Sequence, residues 1–311
     1  MISFEDLPRG RPGTSAQSDL AARALWVAPE ALAAHEEWAY QTGKIFLGVT
    51  NDAPIGTSDN RHLLTIAGSR AGKGTSAILP NLLLYPGSVL VIDPKGENAR
   101  ESAERRGLGR NIPAGGINHD VFVIDPFGVS KVDDIYRAGF NPLAGLDPSS
   151  DDLVDECDAI ADALVVAESK GDNSYFYDAA RLILRGYIAW VASHPDITDK
   201  SLNEVQRLLF LPRTKTHKFD AVEDGAIPIP DVNDPGLTFD DLNALMVIDR
   251  DFAFGVPYQA ASVLGSLDDR GYANIMSTIQ NQIGFISSPQ MAKVLSGSER
   301  SPDLRAWKHG G

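Results

Sequence analysis

A chain of 311 residues with 43% apolar side chains is long enough to bury a large core and too apolar to be disordered. Its 28 Lys and Arg against 42 Asp and Glu leave a net charge of −14. That excludes a surface attractive to nucleic acid over its whole extent, although a basic lining of a channel stays open. One cysteine, Cys157, excludes an internal disulfide and fits a reducing compartment. The N-terminal MISFEDLPRGRPGTSAQ has no apolar stretch of the signal-peptide kind, and every window of about 18 residues carries charge. Even YFYDAARLILRGYIAWVA at 175–192 contains Asp178, Arg181 and Arg185, and reads as a buried helix rather than a membrane span.

In chain order, residues 1–17 form a Pro-, Gly- and Ser-rich arm. Helical spacing of Ala, Leu and Trp26 predicts a helix over 18–39, interrupted at Pro29. KIFLGV at 44–49 reads as a strand and NDAPIGTSDN as a loop. HLLTI at 62–66 then runs as an apolar strand into AGSRAGKGTS. A helix through TSAILPNLLLY is expected to kink at Pro80 and to end at Pro86-Gly87. SVLVI at 88–92 and DVFVI at 120–124 are continuous apolar runs of the kind buried on both faces of a parallel sheet, with a polar-faced helix between them. This alternation predicts an α/β domain with a doubly wound, mostly parallel sheet, whose ligands sit at the carboxyl ends of the strands. Loop 67–74, Asp93 and Asp125 fall on that edge.

From about 148 helical periodicity takes over, in DDLVDECDAIADALVVA, 175–192, SLNEVQRLLF, FDDLNALMVI, and YQAASVLGSL running on to NIMSTIQNQIGFI. The expected layout is an arm and helix at 1–43, a nucleotide-binding domain at 44–147, an all-helical inserted domain at 148–286, and a return toward the first domain at 287–311. Residues 211–238 are a long loop with four prolines and a basic cluster of Arg213, Lys215, His217 and Lys218. Asp231, Asn233 and Asp234 suggest a calcium loop, but Pro235 and the lack of a Glu twelve places along defeat it.

The stretch 67–76 carries the chemistry. A strict phosphate-binding loop reads G-x-x-x-x-G-K-[ST], with backbone N–H groups around the phosphates and a Lys on the outer ones. Here Ala67 replaces the first Gly and Gly74 follows Lys73, so that Thr75 and Ser76 come one and two places late. The apolar strand, the small turn Ala67-Gly68, Gly72-Lys73 and the following helix remain. Its N-terminus is suited to an anion. Gly68, Ser69, Arg70, Ala71, Gly72, Lys73, Gly74, Thr75 and Ser76 are therefore the candidate nucleotide-binding residues. Arg70 is open to three roles: touching phosphate, reaching a neighbouring subunit, or lying exposed on the surface.

The run RHLLTIAGSRAGKGTSAILPNLLLYPGSVLVIDPKGENAR, followed by VFVIDPFG and FNPL, resembles the TraG-type (VirD/TraG) coupling proteins of type IV secretion and conjugation. The match is dense over about 44–146, with S-R-A-G-K-G, P-N-L-L, D-P-K-G-E, D-P-F-G and N-P-L in the family's order. The resemblance implies a RecA-like P-loop ATPase using ATP and Mg2+, assembled as a hexameric homo-oligomer at the cytoplasmic, inner face of the bacterial inner membrane. It also implies a helical insertion that helps recognise relaxase-bound DNA or protein effectors, and contact with secretion-channel components. The late Thr75 is then the magnesium candidate and Lys73 the central catalytic residue.

Two departures qualify the resemblance. Family members normally begin with transmembrane helices, so membrane association here is expected through a partner or an absent segment. The family's second half of the ATPase core, with the Asp-Glu strand that positions magnesium and water, is not in this sequence. LNALMVIDRD offers Asp249 followed by Arg250 in a helical run, whereas Asp93 and Asp125 are each followed by Pro. Asp93 is the substitute candidate for the catalytic acid, with capping of a loop or helix as the equal alternative for Asp93 and Asp125. Lys95 and Glu97 are either site residues or a surface pair. Arg105 and Arg106, at the end of the 97–107 helix, read as surface charges complementing the helix dipole rather than as trans-acting fingers. An incomplete, weakly active ATPase is expected, against two alternatives: a nucleotide-binding or substrate-docking module without turnover, and an unrelated P-loop kinase.

Overall fold

A helix satisfies its backbone polar groups within its own segment, whereas a strand needs a neighbour, and this difference separates the two halves of the chain. A computed structural model describes residues 28–59, 61–166, 174–213 and 231–304. Among these, residues 28–123 with Gly128–Tyr136 form one compact unit, and Ile124–Phe127 with Arg137–Leu304 form another.

In the first unit, helix α1 (Pro29–Ala34) begins on Pro29, at a position where the missing N–H costs nothing. Pro29 thus starts a helix rather than interrupting one, and residues 18–27 of the expected helix lie outside the described residues. Strands β1 (Ile45–Thr50) and β2 (Ala53–Thr57) form an antiparallel hairpin. Its tip is the two-residue turn Asn51-Asp52, with φ of 46° and 61°, which matches the twist of the flanking strands. The sequence reading assigned 53–57 to a loop; the turn-forming Asn-Asp pair was the signal for β2. Gly56 lies where a Cβ would stand 2.7 Å from the Ile45 carbonyl oxygen. Tyr40 meets Phe46 edge-on with centroids 5.7 Å apart, and Lys44 donates to the carbonyls of Glu36, Glu37 and Ala39.

The expected mixture of helix and sheet is present, but a parallel sheet is not seen among the described residues. Among the described residues the only sheet is this hairpin. Segments 62–66 and 88–92 have no regular secondary structure and no strand partners, leaving Leu64 84% and Ile92 84% exposed. In the third run, Val123 donates to the Tyr136 carbonyl at 2.7 Å. A run of Leu, Val and Ile reports what a segment can bury; whether adjacent strands are present is a separate matter that local pattern does not carry.

Helix α2 (Leu79–Leu84) ends at Tyr85, before Pro86-Gly87, and α3 (Glu97–Arg106) follows. Arg106, only 5% exposed, donates to the carbonyls of Leu82, Tyr85 and Gly87, and contacts His119 Nδ1 at 2.9 Å. Arg105 donates to the carbonyls of Leu83 and Gly115. The pair therefore caps the C-terminal end of α2, the preceding helix, and Arg106 does so from a buried position that pushes its guanidinium pKa down.

The second unit contains α4 (Leu153–Leu164), α5 (Ser174–Ser193), α6 (Leu202–Leu209), α7 (Phe239–Ile248), α8 (Val256–Ser266), α9 (Asp269–Ile283) and α10 (Pro289–Leu295). Helix α5 is the hub, with Ile183, Leu184, Tyr187 and Ile188 fully buried among α4, α8 and α9. Gly186 lets α8 approach, since a Cβ there would sit 2.2 Å from that of Ala260. The Tyr187 ring stacks on Phe239, and its hydroxyl donates to Asn243 Oδ1 at 3.3 Å. Starts are locally encoded: Ser201 accepts from Asn203 N–H, Thr238 and Asp241 form a capping box, and Asp268 accepts from Gly271 N–H. That last cap breaks the expected continuous helix into α8 and α9. Part of the long loop, 214–230, lies outside the described residues; Arg213 stacks over the Tyr272 ring at 4.1 Å.

The unit's two ends lie side by side. Gly139 N–H donates to the Arg300 carbonyl at 3.1 Å and to Ser298 Oγ at 2.8 Å, and Phe140 N–H donates to the Val294 carbonyl at 2.9 Å. Asn141, of the N-P-L motif, donates to the Lys200 carbonyl at 2.7 Å and accepts from Leu143 N–H. Among the described residues no helix is long and apolar enough to cross a membrane.

Two outcomes are expected. Gly186→Val overpacks the α5–α8 crossing and lowers the unfolding free energy by about 1–3 kcal/mol, read by urea denaturation followed at Trp190. Cys157 is buried and its thiol pKa is pushed up to about 12, chiefly by loss of solvation, with Asp158 and Glu156 adding to it. Because the thiolate is the reactive form, a disulfide reagent at pH 8 labels Cys157 only at the rate at which the helical unit opens; rapid labelling of the native protein would contradict this packing.

Candidate functional site

The strongest site is the loop at 67–76. Arg70 and Gly72 take left-handed φ of 61° and 84°, and Ala71 N–H donates to the Gly68 carbonyl, so the chain reverses tightly before the helix. Lys73 turns back over this loop, with Nζ 3.1 Å from the Ala67 oxygen and 3.3 Å from the Gly68 oxygen. Thr75 Oγ1 donates to the Gly72 carbonyl at 3.1 Å and Ser76 Oγ to the same oxygen at 2.8 Å. The two late hydroxyls thus converge on the loop side of the helix, where the strict pattern has one. Among the described residues no carboxylate pairs with Lys73, so its charge is met only by main-chain dipoles. A Cβ on Gly68 or Gly74 would meet nothing within 4 Å, which leaves the loop's flank open.

The helix opens with a π turn over Gly74–Ile78 before α2 begins, Leu79 N–H donating to the Gly74 carbonyl. Pro80 has no N–H, and its ring excludes the carbonyl four places back; a wider preceding turn relieves both problems. The expected kink at Pro80 is therefore a π turn just before it.

Of the D-P-K-G-E residues, Asp93 Oδ2 accepts from Ala99 N–H at 2.9 Å, in the first turn of α3. This is the capping alternative in place, and it leaves Oδ1 for a second contact. Gly96 needs both its φ of 68° and its missing side chain, since a Cβ would lie 2.4 Å from Ser130 Cα. Lys95 and Glu97 are exposed and form no ion pair with each other among the described residues. Asp125 groups with the second unit.

The group implied by such a loop is a nucleotide phosphate with magnesium. The residues fit the phosphate: a lysine without a counter-charge, a tight loop and a helix start. For magnesium, Thr75 and Ser76 supply hydroxyl oxygens, and no group of three or more metal-ligating side chains occurs among the described residues.

Sequence reading missed three features. One is Asn81, whose amide pairs with the main chain of Phe46; the P-N-L-L motif marked the position but not the contact. Another is the buried Arg106. The third is an open cleft of about 600 Å³ in the helical unit, lined by His194, Asp196, Thr198, Asp231, Asn233 and Leu245. There Asp196 N–H donates to His194 Nδ1, and burial pushes the imidazole pKa down. No sequence motif marks this cleft, because its residues come from three separate segments, 194–198, 231–233 and Leu245.

The chain matches the family model described as type IV secretory system conjugative DNA transfer over residues 15–223. It is similar to Protein VirD4 of Agrobacterium fabrum, with 28% identity over 130 residues, covering 42% of this chain and 18% of that protein. Protein VirD4 of Rhizobium radiobacter is 27% identical and that of Rhizobium rhizogenes 26%, each over 130 residues and 42% of this chain, covering 17% and 18% of those proteins. The matched segment thus spans less than a fifth of the length of these relatives. The family match covers more than half of the chain and includes the phosphate loop, D-P-K-G-E, D-P-F-G and N-P-L: the chain belongs to the type IV secretory system conjugative DNA transfer family.

Proposed function

We propose that the phosphate loop binds ATP with magnesium and that the protein serves as the coupling ATPase of conjugative or type IV transfer. The observation that carries this reading is Lys73, placed at the head of a helix with its ammonium met only by the carbonyls of Ala67 and Gly68. On binding, Lys73 would exchange those carbonyls for the β- and γ-phosphate oxygens, a stronger charge-assisted contact. The loop from Gly68 to Gly74 would line the phosphates with backbone N–H groups, and Thr75, with Ser76 beside it, would offer a hydroxyl to the metal. Magnesium, when bound, supplies neutralisation of the charge on the β- and γ-oxygens. Asp93, with one oxygen committed to α3, is the chain's candidate for orienting water.

Fast turnover calls for several stabilising groups held in place together, and loss of one typically costs about 3–4 kcal/mol. With 62–66 and 88–92 unpartnered on either side of the loop, the 311-residue chain by itself is expected to bind nucleotide weakly and to hydrolyse it slowly. In the proposed assembly these strands join a complete RecA-like sheet, in a hexamer at the cytoplasmic face of the inner membrane, tethered through a partner or a further segment.

Substrate docking falls to the helical unit. Between 137 and 304 there are 26 acidic and 13 basic residues, so this unit opposes bare DNA and favours a basic protein surface, such as that of a relaxase or effector. This charge also supports the second reading, a docking module without turnover.

Lys73→Ala is expected to weaken Mg-ATP binding by about tenfold to a hundredfold, as loss of a charge-assisted contact does, measured by titration calorimetry. Rapid magnesium-dependent turnover by this chain, abolished by Lys73→Ala, would overturn the expectation of slow hydrolysis. Capture of a relaxase or effector that persists in Lys73→Ala, together with undetectable nucleotide binding by the unsubstituted chain, would favour the docking module instead. Capture is further expected to weaken as salt is raised through about 0.15 M, because it rests on exposed charge.

A further inference from the structure

The helix behind the phosphate loop is irregular at its start and anchored one turn later. Its π turn over Gly74–Ile78 is closed by Leu79 N–H on the Gly74 carbonyl and accompanied by Pro80. Asn81 then uses its whole amide: Oδ1 accepts from Phe46 N–H at 2.8 Å, while Nδ2 donates to the Phe46 carbonyl at 2.8 Å and to the Ala77 carbonyl at 2.7 Å. The first two bonds are those that a neighbouring strand residue would make. Strand β1 is thereby registered on the helix through a single side chain.

We propose that Asn81 is a positioning residue that links the phosphate loop to the β1–β2 hairpin, so that a change in the π turn on binding a phosphate-bearing anion reaches Phe46. The proposal rests on the nucleotide reading of the loop. Before an anion arrives, Lys73 is held by the carbonyls of Ala67 and Gly68, and the Gly72 carbonyl accepts from Thr75 Oγ1, Ser76 Oγ and Ser76 N–H. An anion that recruits Lys73 and the hydroxyls frees the Ala67 and Gly68 carbonyls and leaves the Gly72 carbonyl with Ser76 N–H alone, directly next to the π turn. Conversion of a π turn to an α turn changes its register by one residue, which moves the remainder of the helix by about 1.5 Å along the axis together with about 100° around it. Helix α2 cannot make that move freely while Asn81 holds both polar groups of Phe46. Either the hairpin moves with it or the amide pair opens, and both outcomes register at the Phe46 amide. The π turn is the two-state element, and Asn81 carries its state outward.

Hydrogen exchange at individual amides of the full chain tests the link with and without nucleotide. Pro80→Ala removes the cause of the π turn and is expected to change Phe46 exchange by about tenfold or more in the absence of any ligand. Adding Asn81→Leu to Pro80→Ala is expected to cancel that change at Phe46 while leaving the one at Ser76. Asn81→Asp, which keeps the acceptor for Phe46 N–H and loses the donor, is the variant to use if the Leu substitution unfolds the hairpin. In the unsubstituted chain, saturating Mg-ATP is expected to alter both Ser76 and Phe46, and in Asn81→Leu only Ser76. A Phe46 amide that stays within about twofold in Pro80→Ala while Ser76 changes would overturn the link, as would a hairpin that still responds in Asn81→Leu. Failure of Mg-ATP to bind at all would sink the nucleotide reading alone, and the Pro80→Ala comparison would still decide the link.

Discussion

Every backbone N–H and C=O taken from water must find a partner, and the means of finding one differs between helix and strand. The helical unit meets this demand segment by segment: each helix closes its own bonds, the starts of α6, α7 and α9 are capped by Ser201, Thr238 and Asp268, and the remaining task is to bury α5 among its neighbours. The first unit has no such freedom. Its hairpin is satisfied because Asn51-Asp52 returns the chain onto itself, while 62–66 and 88–92 have nothing to pair with among the described residues. The same demand explains Arg105, Arg106 and Asn81, which supply by side chain what a strand or a longer helix would have supplied by backbone.

That asymmetry also sets what was legible from the sequence. The helices were readable because periodicity and caps are local: FDDLNALMVI at 239–248 coincides with α7, and 175–192 falls within α5. The α8–α9 break was misread because an apolar stripe crosses it, whereas the Asp268 cap that makes the break is a single residue. Strand β2 was missed because Pro54 and Gly56 weaken its apolar pattern, and only the turn betrays it. The parallel sheet rests on runs whose composition states a capacity for burial, and it is not seen among the described residues.

At the site, the positions were legible and the contacts were not. Gly72-Lys73 and the late Thr75 and Ser76 mark the loop, but the spacing cannot show both hydroxyls meeting on the Gly72 oxygen. Asp93 was equally balanced between two roles, and the structure supplies its bond to Ala99 without exhausting the carboxylate. Arg106 looked like surface charge because two adjacent arginines at a helix end usually are. The cleft at His194 joins residues some forty positions apart, beyond the reach of any local pattern.

The contact between Gly139 and Gly297 carries a consequence for how such a chain can be rebuilt. A Cβ on Gly139 would stand 2.5 Å from the Gly297 carbonyl carbon, so the backbones touch where the helical unit opens and closes. A module whose two termini meet can be spliced into a tight turn of a host without prising the host apart. It can also be lifted out and replaced by a short bridge. The helical unit is in this sense a cassette, and its two glycines are the clasp.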